Sequence, residues 1–232
     1  MNEAQQRAWQ ALQIGPAWRS RVLPGQDVAN ASAPDAEVEW TILRQEVVAC
    51  RACGLCETRQ QTVFGVGDEH ADWMIIGEAP GAEEDRLGEP FVGPAGKLLD
   101  SMLAAVGKSR QRGVFIANVL KCRPPGNRDP SPEEAERCAP FLRRQIELVS
   151  PKLILVLGKV AAQSLLRTDA SIASLRGRIH AWHDGAVSIP LVVTYHPAYL
   201  LRAPVEKAKA WGDLQLALRA SVGTSVSASA RR

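Results

Sequence analysis

The chain has 232 residues, 46% hydrophobic and 23% charged, with a formal net charge of +3. This is the balance of a globular protein with one sizeable domain; no apolar run reaches the roughly 18 residues that a membrane span requires, and the N-terminus lacks the basic-then-apolar pattern of a secretory signal. A cytoplasmic protein is expected, and the mild basicity permits a nucleic-acid partner without requiring one.

Residues 1–36 read as an N-terminal extension and linker. A short helix is predicted over 3–13, with Trp9 and Leu12 on one side, followed by Pro16, Pro24, Gly25 and a polar, Ala-rich stretch at 30–35. A helix is predicted over 37–49. The apolar run at 73–76, closed by Gly77, reads as a buried strand. Leu98, Leu99, Met102, Leu103 and Val106 share one face of a helix over 94–106, which Gly107 stops. A second strand covers 114–117. Ser131, Pro132 and Glu134 supply an N-cap, a first-turn proline and a capping box for a helix that places Cys138, Leu142, Ile146 and Val149 on one face. A third strand (153–157), a helix (159–167), a fourth strand (191–194) and a last helix (204–220) follow. The Ser/Ala/Val-rich tail, 221–232, is expected to be disordered.

Strands alternating with helices indicate an α/β fold: a three-layer α/β/α domain over 37–220 with a central, mainly parallel four-stranded sheet. In such sheets ligands bind beyond the carboxyl ends of the strands. The segments there are polar and unusual: GEAPG from Gly77, NVLKC from Asn118 and YHPAY from Tyr195.

The five cysteines, Cys50, Cys53, Cys56, Cys122 and Cys138, are an odd number in a chain expected to be cytosolic, which argues against a disulfide framework. The tight triple at 50–56 has the charged neighbours Arg51, Glu57 and Arg59 and does not read as core. Four thiolates bind either a [4Fe–4S] cluster or a tetrahedral zinc, and spacing alone does not separate the two. Buried cysteines of no special role are the alternative for Cys122 and Cys138.

Taken together, CRAC at 50–53, FGVG at 64–67, GEAPGAEED at 77–85, PFVGPAG at 90–96, NVLKCRPPGNR at 118–128 and HPAYLL at 196–201 resemble the family 4, iron–sulfur uracil-DNA glycosylases. The resemblance runs from about residue 50 to 218. It implies hydrolysis of the N-glycosidic bond of uracil in DNA, single- or double-stranded, by a monomer that leaves an abasic site. It also implies a structural [4Fe–4S] cluster on Cys50, Cys53, Cys122 and Cys138, with Cys56 spare; Cys56 in place of Cys50 stays open.

Cutting this bond puts positive charge on the sugar and negative charge on the departing base, and the base must first leave the stack. The resemblance gives His196 the role of stabilising the anion at uracil O2. The Asn118 carboxamide, a donor and an acceptor on one edge, is able to pair with uracil O4 and N3–H and to reject cytosine, and the resemblance implies that Phe91 stacks on the flipped base. Aspartate activates water at the position of Ala79 in the best-known superfamily members. Alanine does not, so Glu78 is the expected water-activating carboxylate, with Glu84 and Asp85 as alternatives and Asn127 as a further water holder. Leu200 or Leu201 is expected to wedge between bases, or else to pack inward, with Arg202, Lys121, Arg123 and Arg128 facing phosphates. A superfamily branch that traps uracil-DNA covalently carries an inserted basic loop with a histidine after the Asn-bearing strand. No such insertion follows Lys121, so turnover is expected. A non-catalytic DNA-binding module that keeps the fold is the competing reading.

Overall fold

The computed structural model describes residues 36–229, with side chains from Glu37 through Val222. The expected helix at 3–13 and the linker after it lie outside the described residues. The first helix, α1, is Ala36–Ala49, and a one-turn helix, α2, spans Leu55–Thr58. A two-residue strand β1 (Val66–Gly67), β2 (Trp73–Gly77), α3 (Ala82–Leu87), α4 (Pro94–Ala104) and β3 (Val114–Asn118) follow. Then come α5 (Pro132–Val149), β4 (Leu153–Leu157), α6 (Lys159–Leu166), α7 (Ile172–Leu175) and the hairpin β5 (Ile179–Asp184) and β6 (Val187–Thr194). The chain continues through α8 (Pro197–Arg202) to α9 (Lys207–Ser229).

The sheet order is β1-β3-β2-β4-β6-β5. Parallel pairings join β3, β2, β4 and β6, and the edge strands β1 and β5 pair antiparallel. The expectation of a four-stranded, mainly parallel sheet is therefore corrected to a mixed sheet of six strands. The missed hairpin turns through Gly185 and Ala186, between the paired Asp184 and Val187, and Gly185 takes φ 54°. Glycine supplies a positive φ at a central position of a two-residue hairpin loop without steric cost.

Strand residues alternate between two cores. Met74, Ile76, Phe115, Ala117, Ile154, Val156, Leu191 and Val193 face one side and pack with Trp40, Leu43, Leu142 and Ile146 from α1 and α5. Trp73, Ile75, Val114, Ile116, Leu153, Leu155 and Val192 face the other, against Leu99 and Leu103 of α4 and Leu214 of α9. Both faces of the central strands are dry, which is why they read as continuous apolar runs. The capping box of α5 forms as its sequence predicts: the Glu134 amide donates to Ser131 Oγ at 3.2 Å, and the Ser131 amide donates to the Glu134 carboxylate at 2.8 Å.

One further expectation changes at the C-terminal end, where α9 is described through Ser229 and residues 230–232 of the tail lie outside the described residues. The HPAYLLR segment forms its own short helix, α8, and does not begin the last one. Leu200 is 1% exposed in the core under α4 and α9, whereas Leu201 is 44% exposed. Leu200→Ala should destabilise the protein by about 2–5 kcal/mol, and Leu201→Ala by less than about 0.5 kcal/mol. Chemical denaturation of the two variants measures the contrast, and equal losses would contradict this packing.

Candidate active site

The carboxyl ends of β2, β3 and β6 deliver Glu78, Asn118 and His196 to one cavity of about 500 Å³, which Phe91 from the α3–α4 loop also lines. Ala79, Glu84, Asn127, Arg128, Tyr199 and Arg202 complete much of the wall.

His196 is the N-cap of α8. Its Nδ1 accepts the Ala198 amide N–H at 3.1 Å. In the neutral ring the proton must then sit on Nε2, which is left as a donor. Burial, followed by the nearby Arg202 charge, lowers the His196 pKa from 6.5 to about 4. The ring is neutral at physiological pH.

Asn118 is buried, and its Oδ1 has no hydrogen-bond partner. An unpaired buried acceptor is costly and calls for a donor from a ligand or water. Its backbone carbonyl is held by Lys121 Nζ at 2.8 Å; the same ammonium donates to Gln145 Oε1 at 2.6 Å. Close approach to β2 is possible only because residue 77 is glycine: a Cβ there would lie 2.4 Å from Asn118 Oδ1 and 2.5 Å from Phe91 Cζ. The Phe91 ring lies beside the His196 ring, with centroids 5.6 Å apart and planes 29° apart.

The carboxylates divide by what they already hold. Glu84 Oε2 accepts the Gly81 amide, and Oε1 accepts the amides of Val92 and Gly93. Both oxygens are occupied in bracing the two loops of the cavity. Asp85 is buried away from the cavity and accepts the amides of Gln60 and Gln61. Glu78 has no such partners, and burial together with the Asp129 charge raises its pKa to about 7. Asn127 lines the cavity with its Oδ1 accepting from Arg123 Nε at 2.7 Å.

The expected basic run separates into different roles. Lys121 is 1% exposed and does not face solvent, a correction to its expected place among phosphate-facing groups. Burial lowers its pKa to about 8. Arg128 lines the cavity while paired with Glu134 at 2.6 Å. Arg202 is exposed at the cavity rim, next to Leu201. Leu200, the other candidate wedge, is core.

All five cysteines are free thiols and line one apolar cavity together with Leu55, Leu120 and Phe141. Among the described residues no three His, Cys, Asp or Glu side chains gather as a site for a metal ion. Cationic and amide donors point at the sulfurs. Arg59 Nη1 lies 2.9 Å from Cys122 Sγ, and the Lys121 amide donates to Cys138 Sγ at 3.3 Å. Burial pushes the Cys122 thiol up and the Cys138 thiol to about 11, while Arg59 and Lys121 act in the opposite direction. Cys122 feels Cys53 and Cys50, and Cys138 feels Cys122 and Cys50.

A family model described as the uracil DNA glycosylase superfamily matches residues 64–215. The chain is 44% identical over 164 residues to a type-4 uracil-DNA glycosylase of Archaeoglobus fulgidus, covering 69% of this chain and 82% of that protein. It is 40% identical over 178 residues to a type-4 uracil-DNA glycosylase of Pyrobaculum aerophilum, covering 75% and 90%. A type-5 uracil-DNA glycosylase of Pyrobaculum aerophilum is 32% identical over 149 residues, covering 58% and 64%. The chain belongs to the uracil-DNA glycosylase superfamily, among its type-4 members. Among the described residues no helix is long and apolar enough to cross a membrane.

The Glu78 environment sets a pH dependence. Its raised pKa means that the folded state binds more protons than the unfolded chain between pH 4.5 and about 7. The stability this contributes is present below pH 4.5 and lost as pH rises through about 7. Glu78→Gln should therefore raise Tm relative to the parent at pH 8 and change it little at pH 4.5. A Tm difference that is the same at both pH values would contradict the burial argument.

Proposed function

We propose that this protein releases uracil from DNA by hydrolysing the N-glycosidic bond, leaving an abasic site for base excision repair. The reading is carried by one observation: an unpaired Asn118 acceptor and a neutral His196 Nε2–H donor face a single cavity that Phe91 lines. Uracil complements that set. Its N3–H satisfies Asn118 Oδ1, its O4 accepts from the carboxamide N–H, and its O2 accepts from His196. Cytosine presents an acceptor at N3 and a donor at C4, so the same carboxamide rejects it.

Bond breaking sends the C1′–N1 electron pair onto the base. The negative charge collects at O2, where the fixed His196 donor stabilises it, an arrangement that is typically a large catalytic contribution. Water then adds to C1′ and gives up a proton. Ala79 offers no group to receive it, Glu84 is occupied by amides, and Glu78 has a carboxyl that is partly ionised near neutrality. We assign water orientation to Glu78, assisted by Asn127. Phe91 stacks on the flipped base, Leu201 fills the space it leaves in the duplex, and Arg202, Arg123 and Arg128 meet phosphates. The protein acts as a cytoplasmic monomer on single- or double-stranded DNA.

Cys50, Cys53, Cys122 and Cys138 would hold a [4Fe–4S] cluster. The apolar cavity, the thiol donor set, and the Arg59 guanidinium and Lys121 amide directed at the sulfurs fit such a group, which binds thiolates and carries net negative charge. When bound it would supply no redox step, and would tie the segment after α1 to the loop after β3 and to α5.

An oligonucleotide with a single uracil tests the activity. Alkali-labile cleavage and free uracil are expected with the parent protein, with large rate losses in His196→Ala and Glu78→Gln at little change in DNA affinity. No product at stoichiometric protein would overturn the assignment. In the same preparations, Cys50→Ser should lose iron and the brown colour, and Cys56→Ser should keep both. The reverse pattern would make Cys56 the ligand.

A further inference from the structure

Phe91 has an unusual backbone. Its φ is 56°, a left-handed conformation that is disfavoured for a bulky residue and persists only when its surroundings enforce it. Part of the enforcement comes from outside the cavity. Arg110, on the loop between α4 and β3, directs Nη1 to the Pro90 carbonyl at 2.8 Å and Nη2 to the Phe91 carbonyl. Its Nε donates to Asp100 Oδ1 on α4 at 2.6 Å, so all three guanidinium nitrogens are engaged. The arginine side chain is 16% exposed and does not line the cavity. On the other side of the same turn, Glu84 takes the amides of Val92 and Gly93. Four consecutive residues, 90–93, are thus gripped through carbonyls by a cation and through amides by an anion. The first turn of α4 closes directly over the Phe91 carbonyl: a Cβ on Gly96 would lie 1.6 Å from that oxygen.

We infer that Arg110 is a positioning residue for base capture, oriented by Asp100, that holds the Phe91 ring at the angle required for stacking on uracil. The planar fork is essential because it serves two successive carbonyls at once. A lysine ammonium is a point donor without that geometry. Loss of the fork frees residue 91 to leave the left-handed region, and the ring then swings from its place beside His196. Small misplacements of a positioning group cost up to about a hundredfold in rate.

This inference rests on Phe91 stacking on the base, and a double-mutant cycle separates the two claims. Single-turnover uracil excision is measured for the parent, Arg110→Met, Phe91→Ala and the double variant, with DNA affinity and inhibition by free uracil alongside. Phe91→Ala and Arg110→Met are each expected to lose about tenfold or more in rate, with weaker uracil inhibition and unchanged DNA affinity. In the Phe91→Ala background, Arg110→Met should change the rate by no more than about twofold, because the arginine acts through the ring. Arg110→Lys should fall between the parent and Arg110→Met. A wild-type rate in Arg110→Met, or an equal loss in both backgrounds, would overturn the inference while leaving the stacking role intact. A wild-type rate in Phe91→Ala would remove both. Should Arg110→Met fail to fold, Asp100→Asn and Arg110→Lys carry the same cycle, with smaller losses that must likewise vanish without the Phe91 ring.

Discussion

One hydrogen bond joins the fold to the chemistry: the Ala198 amide donating to His196 Nδ1. It caps α8, whose first N–H groups have no partner within the helix. It also fixes the imidazole tautomer, so that the only proton of the neutral ring sits on Nε2. Burial and the Arg202 charge hold the ring neutral. A neutral donor is suited to an anion that exists only in the transition state, because it is set in place beforehand and forms no ion pair with the uncharged base.

The rest of the cavity is arranged around that donor by close packing. The missing side chain at Gly77 lets Asn118 and Phe91 approach β2. Lys121 fixes the Asn118 carbonyl from behind, and the Lys121 amide reaches the Cys138 sulfur. Lys121 therefore touches both the cysteine cavity and the backbone of Asn118. Asp85 adds a second tie, holding the amides just after α2 from the helix that follows the GEAPG turn. These ties link the segments that carry the cysteines to the walls of the cavity.

Much of this was legible in the sequence. The apolar runs of β2, β3 and β4 and the Ser131–Glu134 capping box each carry a strong local signal, and their positions agree with the structure. His196 and Asn118 were legible because they follow buried strands, where α/β sheets bind ligands. The β5 strand was not, because His180, His183 and Asp184 dilute its alternation. Leu200 and Leu201 are adjacent and alike; only helix phase places one in the core and the other outside. Lys121 reads as a surface cation, and its burial depends on Gln145, which is distant in sequence. Arg110 was invisible for the same reason, since its partners at Pro90, Phe91 and Asp100 are brought to it by the fold.

The central claim is that His196 acts as a neutral donor through Nε2. ¹⁵N NMR of the His196 imidazole with uracil bound, followed across pH, tests it most directly. The account predicts a protonated Nε2 and an unprotonated, hydrogen-bonded Nδ1 from neutral pH down towards about 4. An imidazolium at neutral pH, or a proton on Nδ1 in place of Nε2, would contradict it.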